Sequence, residues 1–167
     1  YYQYPHRLCL SGTPLNESLI CLHKILPQFQ KENKLQKVQC IVLTDGEAAQ
    51  LPYHKEVERH WEDQPYLGTR NINPNHVFFR DRKIGKTYPI GYSYHEFTDM
   101  LVQNLKDHFP NTNFIGIRVM EGRDASYFIK RYYNEWKEPE AYGKIMSEWR
   151  KKKTFTIKTS AYDAYFG

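Results

Sequence analysis

Residues Cys40-Ile41-Val42-Leu43-Thr44-Asp45-Gly46-Glu47 constrain this chain more than any other stretch. A run of apolar and β-branched side chains stopped by an acid and a glycine reads as a buried strand that delivers a carboxylate to the edge of a sheet. In open α/β sheets, ligands bind in the crevice at the carboxyl ends of the strands, so Asp45 stands where chemistry collects. Asp-Gly is also ordinary turn chemistry. The octapeptide alone weighs the two readings equally, and its neighbours must decide.

Upstream, Ser11-Gly12-Thr13-Pro14 opens a helix, because proline is favoured in a first turn and glycine permits a tight approach. Thr13 falls at or next to the N-cap. Leu15, Leu19, Leu22, Leu26 and Phe29 then form one apolar stripe, and Pro27 is expected to bend the last turn. Helix, short polar loop and strand make half of a βαβ crossover, which predicts a parallel sheet. Residues 46–76 lack clean periodicity and form a long loop bordering the site, with a short helix expected around His54 to Trp61. Residues 77–90 flank Asp81-Arg82-Lys83 as a hairpin insertion with a polar, solvated tip. Ser93-Tyr94-His95-Glu96 is a capping-box sequence, and its helix turns Phe97, Leu101 and Leu105 inward before Pro110.

A second strand, Asn113 to Met120, again hands an acid and a glycine to the following loop. Ala125, Phe128, Ile129, Tyr132 and Trp136 make the next helical face. The last helix starts near Pro139 with Tyr142, Ile145, Met146 and Trp149 inward, and Thr154 to Lys158 alternates as a half-buried strand. Tyr1 to Leu10 is aromatic and irregular, with Leu8-Cys9-Leu10 as a short extended piece.

Length and composition narrow the class. At 167 residues the chain is one domain. Aromatics are 16% of it, including 14 tyrosines, which favours contacts that pair a large apolar face with a polar handle, as partner surfaces do. The net charge is +5, but the one sustained basic run, Arg150-Lys151-Lys152-Lys153, suits a helix C-terminus in water better than a nucleic-acid surface. Cys9, Cys21 and Cys40 are odd in number and widely spaced, so they read as buried free thiols of a reducing compartment. A signal peptide and a bilayer-length apolar run are both missing from the sequence, which predicts a cytoplasmic protein without a membrane partner. The start at Tyr1 without methionine and the aromatic end Ala164-Tyr165-Phe166-Gly167 suggest part of a longer chain.

The pairing that carries chemistry is Thr13 with Asp45. A hydroxyl at a helix start and a carboxylate closing the next strand can face one crevice as hard oxygen donors for a small divalent cation, and Mg²⁺ suits that set. Here the chain resembles the von Willebrand factor A family, whose metal-ion-dependent adhesion site draws a threonine and an aspartate from two such loops. Ser11-Gly12-Thr13-Pro14-Leu15-Asn16-Glu17 and Val42-Leu43-Thr44-Asp45-Gly46-Glu47 look most like the branch found in the T subunit of cobaltochelatase and in similar phage-encoded proteins.

The resemblance implies a three-layer α/β/α, Rossmann-like fold with a mostly parallel central sheet, here incomplete at the N-terminus and carrying the hairpin insertion. It also implies Thr13 and Asp45 as metal ligands bordered by Ser11, Gly12, Asn16, Gly46 and Glu47. The cofactor would be Mg²⁺, or Mn²⁺ or Ca²⁺ in its place. The family's Asp-x-Ser-x-Ser motif does not occur before Thr13, since Asp45 is the first aspartate in the chain. The function implied is metal-dependent protein interaction, as an adaptor to an AAA+ ATPase or to a ligand protein bearing an acidic residue, with no activity of its own. The alternatives are a subunit of a cobaltochelatase-like metal-insertion enzyme and a phage structural or assembly protein with a vestigial metal site, in which case the compartment is the host cytoplasm.

Other constellations are weaker. His54 and His60 with Glu56 and Glu58 do not have the spacing that places two histidines on one helical face for zinc. The sequence also lacks a glycine-rich phosphate loop, which argues against ATP hydrolysis by this chain.

Overall fold

The structure, a computed structural model, describes residues 13–48, 51, 53–58, 60–61, 64–70 and 72–167. Ser11, Gly12, Cys9 and the Leu8-Cys9-Leu10 piece lie outside the described residues. The chain is mixed α/β with a four-stranded central sheet that is mostly parallel.

Helix α1 (Leu15–Asn33) begins immediately after Pro14, whose carbonyl accepts the first intrahelical bond from the Ser18 N–H. It runs through Pro27 and ends at Lys34, which takes a left-handed conformation. Leu19 and Leu26 are buried, whereas Phe29 at the end of the expected stripe is half exposed. Strand β1 (Val38–Thr44) follows, as the βαβ argument predicts.

The segment from 46 to 76 contains an antiparallel pair of its own, β2 (Tyr53–Val57) with β3 (Tyr66–Arg70). Strand β2 replaces the helix expected from His54. Cross-strand pairing of Tyr-His-Lys-Glu-Val with Tyr-Leu-Gly-Thr-Arg supplies backbone partners that a short isolated helix would lack. The expected hairpin is present as β4 (Phe78–Asp81) and β5 (Lys86–Pro89).

Helix α2 (Tyr94–His108) starts with the capping box read from the sequence: the Ser93 N–H donates to Glu96 Oε2 at 2.9 Å, and Phe97, Leu101 and Leu105 are buried. Strand β6 (Thr112–Arg118) pairs in parallel with β1 over its whole length, from Val38 opposite Thr112 to Thr44 opposite Arg118. Helices α3 (Gly122–Tyr132) and α4 (Pro139–Lys152) follow. Trp136, placed on the inward face by helical spacing, lies beyond the end of α3 and is 90% exposed.

The chain then makes β7 (Thr156–Ile157) and β8 (Ala164–Phe166). The short β8, unforeseen in the sequence, inserts between β6 and β7, parallel to the former and antiparallel to the latter. Gly116 permits this: a Cβ there would stand 2.6 Å from the Tyr165 ring.

Register fixes the two sheet faces, since alternate residues point oppositely. Val38, Cys40 and Val42 pack against a core holding Leu19, Leu105, Phe114 and Tyr165. The other face carries Ile41 and Leu43, 59% and 67% exposed, level with Ile115, Ile117 and Phe166. The expectation of a wholly buried β1 is therefore corrected: among the described residues β1 stands at the edge of the sheet, and Ile41 and Leu43 on one of its faces are exposed. Cys21 is likewise exposed rather than buried, while Cys40 is half-buried and burial pushes its thiol pKa up.

Among the described residues no helix is long and apolar enough to cross a membrane.

The basic run closes α4. Arg150, Lys151 and Lys152 occupy its last turn, where cations complement the helix dipole, and Lys153 caps it with its ammonium 5.3 Å from the Trp149 ring centre.

Candidate functional site

Parallel pairing places the carboxyl ends of β1 and β6 side by side, with the Val119 N–H donating to the Thr44 carbonyl at 2.9 Å. Immediately beyond, the chain bends. The Thr44 hydroxyl accepts from the Gly46 N–H at 3.2 Å and donates to the Gly46 carbonyl at 2.9 Å. A threonine at the strand's last position thus closes the turn on itself, and Asp45 at its apex is exposed.

The start of α1 meets this turn. A Cβ built at Gly46 would collide with Thr13 Oγ1, so the glycine is required by the closeness of the threonine. Thr13 is half-buried, and it borders the same recess as Thr44. The structure therefore sets Thr13 against Gly46 at one end of the sheet, with Asp45 next to that glycine in the chain and exposed at the apex of the turn.

Asn16 behaves differently. It is fully buried, and its Oδ1 accepts from the Thr98 hydroxyl at 2.9 Å, so it joins α1 to α2 beneath the site.

Glu47 turns inward. Its carboxylate lies between two guanidinium groups: Arg118 at the end of β6, with Nη1 3.4 Å from Oε1, and Arg131 of α3, whose Nη1 meets Oε2. Glu47 and Arg118 are largely buried, while Arg131 is half exposed. Arg118 also lies over the Phe128 ring at 4.8 Å. Two buried polar atoms, Glu47 Oε1 and Arg118 Nε, make no hydrogen bond. They border a cavity of about 20 Å³, room for about one water, that is also lined by His95, Asp99, Tyr132 and Tyr165.

Burial dominates the electrostatics around that cavity. It raises the Asp99 carboxyl, against the opposing pull of the Ala161 N–H that donates to Asp99 Oδ1 at 3.1 Å. It also raises Tyr132, Tyr162 and Tyr165, the last countered by the Arg118 charge. These phenols remain neutral hydrogen-bonding groups at ordinary pH.

Sequence reasoning missed Arg118 and Arg131. The available signal was Arg118 itself, a charge set between the apolar run Phe114-Ile115-Gly116-Ile117 and Val119-Met120, where an unpaired charge is costly and a partner is therefore implied.

A second polar cluster holds the hairpin to the helices. Asp81 Oδ1 accepts from the N–H groups of Lys83 and Ile84, at 2.8 and 3.3 Å. Its Oδ2 accepts from Asn104 Nδ2 at 2.8 Å and meets His108 Nε2. The tip expected to be solvated is thus anchored in α2 through Asp81. Tyr88 donates to Asp107 at 2.5 Å beside Lys86, and His23 of α1 stands edge-on to the His108 ring at 4.8 Å.

The candidate donors suit a hard cation. The Thr13 hydroxyl and the Asp45 carboxylate are oxygen donors, and the collision that a Cβ at Gly46 would make shows how closely the turn wraps Thr13. Each is a hard oxygen donor of the kind Mg²⁺ takes, rather than the nitrogen and sulfur that zinc prefers, and the pair alone leaves most of an octahedral shell to be filled. Among the described residues no group of three or more histidine, cysteine, aspartate or glutamate side chains is arranged to hold a metal, and His54 instead lies 3.3 Å from the Thr69 hydroxyl across the β2–β3 pair. The chain matches no protein-family model, no curated protein and no solved structure.

Proposed function

We propose that the chain is a metal-dependent protein-interaction domain of von Willebrand factor A type, built on the family's α/β/α plan. Its site would hold Mg²⁺, or Mn²⁺ or Ca²⁺, at the Thr13–Asp45 end of the sheet. The observation that carries the reading is the meeting of two loops distant in sequence: Thr13 stands against Gly46, while the adjoining Asp45 carboxylate is left exposed. When bound, a hydrated hard cation supplies an open coordination position that a partner's carboxylate can take. The chain's own residues do the rest: Thr44 fixes the turn, Gly46 lets it close on Thr13, and Asp45 presents the charge.

The partner is then a protein, either an AAA+ ATPase that the domain serves as adaptor or a ligand protein offering an acidic side chain. The exposed aromatic rings of Tyr92 and Tyr94 line a recess of about 560 Å³ together with Ser93, His95 and Arg131. Arg131 connects that recess to the Glu47 loop, and surfaces of this kind favour protein contacts.

Titration of Mn²⁺ into the wild-type chain and into Asp45→Asn and Thr13→Val tests the reading. Saturable binding by the wild type and its loss in Asp45→Asn, at unchanged thermal stability, is the expected result. Equal affinity in all three proteins contradicts it.

A further inference from the structure

Glu47 sits two residues beyond Asp45, and its carboxylate is committed to two arginines from different elements. Arg118 is itself fixed, by the β6 pairing with Thr44 and by its place over Phe128 of α3. Arg131 projects from α3 and remains half exposed. The turn at 45–46 is therefore held at both of its ends. Thr44 closes it on the strand side, and Glu47 ties it to β6 and α3 on the other.

A ligand loop held only by its own turn would sample several positions of Asp45. One pinned by a buried carboxylate keeps Gly46 against Thr13 and holds the neighbouring Asp45 in one place. We propose that Glu47, clamped by Arg118 and Arg131, is the positioning residue that sets the Asp45–Gly46 turn for cation binding. The proposal deepens the metal-dependent reading and rests on it for its consequence, but the clamp itself is a property of the metal-free chain. Outer-shell groups that orient ligands act on affinity without touching the ion, and their loss weakens binding by about 10- to 100-fold.

The experiment compares wild type with Glu47→Gln, Arg131→Gln and Arg131→Lys, in two arms. In the first, amide exchange of the metal-free proteins is followed at Gly46 and Ala48 and, as an internal reference, at Leu105 and Phe114. Faster exchange at Gly46 and Ala48 in Glu47→Gln and Arg131→Gln, with the reference amides unchanged and Arg131→Lys intermediate, is the expected pattern. In the second, Mn²⁺ affinity is measured, and the two Gln variants should bind about 10- to 100-fold more weakly.

Exchange at Gly46 and Ala48 equal to wild type in both Gln variants overturns the clamp. So does acceleration at all four amides in parallel, because that reports a general loss of stability. Arg131→Gln alters a half-exposed side chain, so it decides the matter even if Glu47→Gln fails to fold. If wild type takes up no Mn²⁺ while the exchange pattern is as expected, the metal reading fails and the clamp stands as a device that orders the loop.

Discussion

Gly46 is a residue whose identity is tightly prescribed by its surroundings. Gly46→Ala would drive a methyl group into Thr13 Oγ1, so that the Thr13 side chain, the turn or the start of α1 must move, at a cost of about 1–3 kcal/mol. Urea unfolding should register that loss, and Thr13→Gly in the same chain should recover most of it. Asp99 makes a second residue-level case. Its pKa is raised by burial, so its ionised form is the destabilised one: its contribution is full below the ordinary carboxylate range and is lost as pH rises through the folded value. Asp99→Asn is expected to be more stable than wild type at pH 7 and to lose that advantage near pH 3. Thermal melts at the two pH values check it, and an advantage that grows on acidification would contradict it.

At the scale of elements, the joint between the β4–β5 hairpin and helices α1 and α2 has a definite pH sign. Burial opposes ionisation of Asp81, but the hydrogen bonds from Asn104, His108, Lys83 and Ile84 outweigh it and hold the carboxyl well below its usual range. Burial and the neighbouring His108 hold His23 below the ordinary imidazole value. A depressed acid stabilises above its unfolded pKa and loses that contribution as pH falls. A histidine held neutral behaves the same way through its own, higher range. Both groups therefore make the joint weaken on acidification, His23 first and Asp81 last. Protection of the hairpin amides against hydrogen exchange, corrected for the slower intrinsic exchange in acid, should fall on acidification before that of the β1–β6 pair. Asp81→Ala, which leaves His108 and Asn104 without their shared acceptor, should cost roughly 3 kcal/mol. Tyr88 belongs to the same joint: burial and its bond to Asp107 push it up to about 12, so it donates throughout this range.

Seen as a whole molecule, the chain is a sheet whose two faces are treated unequally. One face holds Phe114, Leu105 and Leu19, nearly or wholly inaccessible, and the other exposes Ile41 and Leu43 on β1. Phe114→Ala should cost about 3–5 kcal/mol, whereas Leu43→Lys should stay within about 0.5 kcal/mol of wild type and reduce any concentration-dependent self-association. Denaturant curves and sedimentation measure the two effects.

The same inequality explains what the sequence could disclose. The α1 and α2 stripes, the capping box at Ser93 and the parallel pairing of Val38–Thr44 were legible because local periodicity and tertiary burial agree there. Strand β2 was not, because its partner β3 begins only after an irregular connection and its side chains are mostly exposed, which leaves no alternation to read. Strand β8 is three residues long and exists only because Gly116 leaves room for Tyr165. Thr13 and Asp45 could be singled out from their motifs, and the structure sets Thr13 against Gly46, the residue after Asp45. The Arg118 and Arg131 clamp on Glu47 could not, because it joins three elements through contacts that no local pattern encodes.

The central claim is that two loops distant in sequence present one hard-cation site. Anomalous diffraction from crystals of the chain soaked in Mn²⁺ tests it most directly. The account predicts a single strong peak within coordination distance of both Thr13 Oγ1 and the Asp45 carboxylate, lost in Asp45→Asn crystals. A peak elsewhere, or none at saturating Mn²⁺ with that end of the sheet free of lattice contacts, would contradict it.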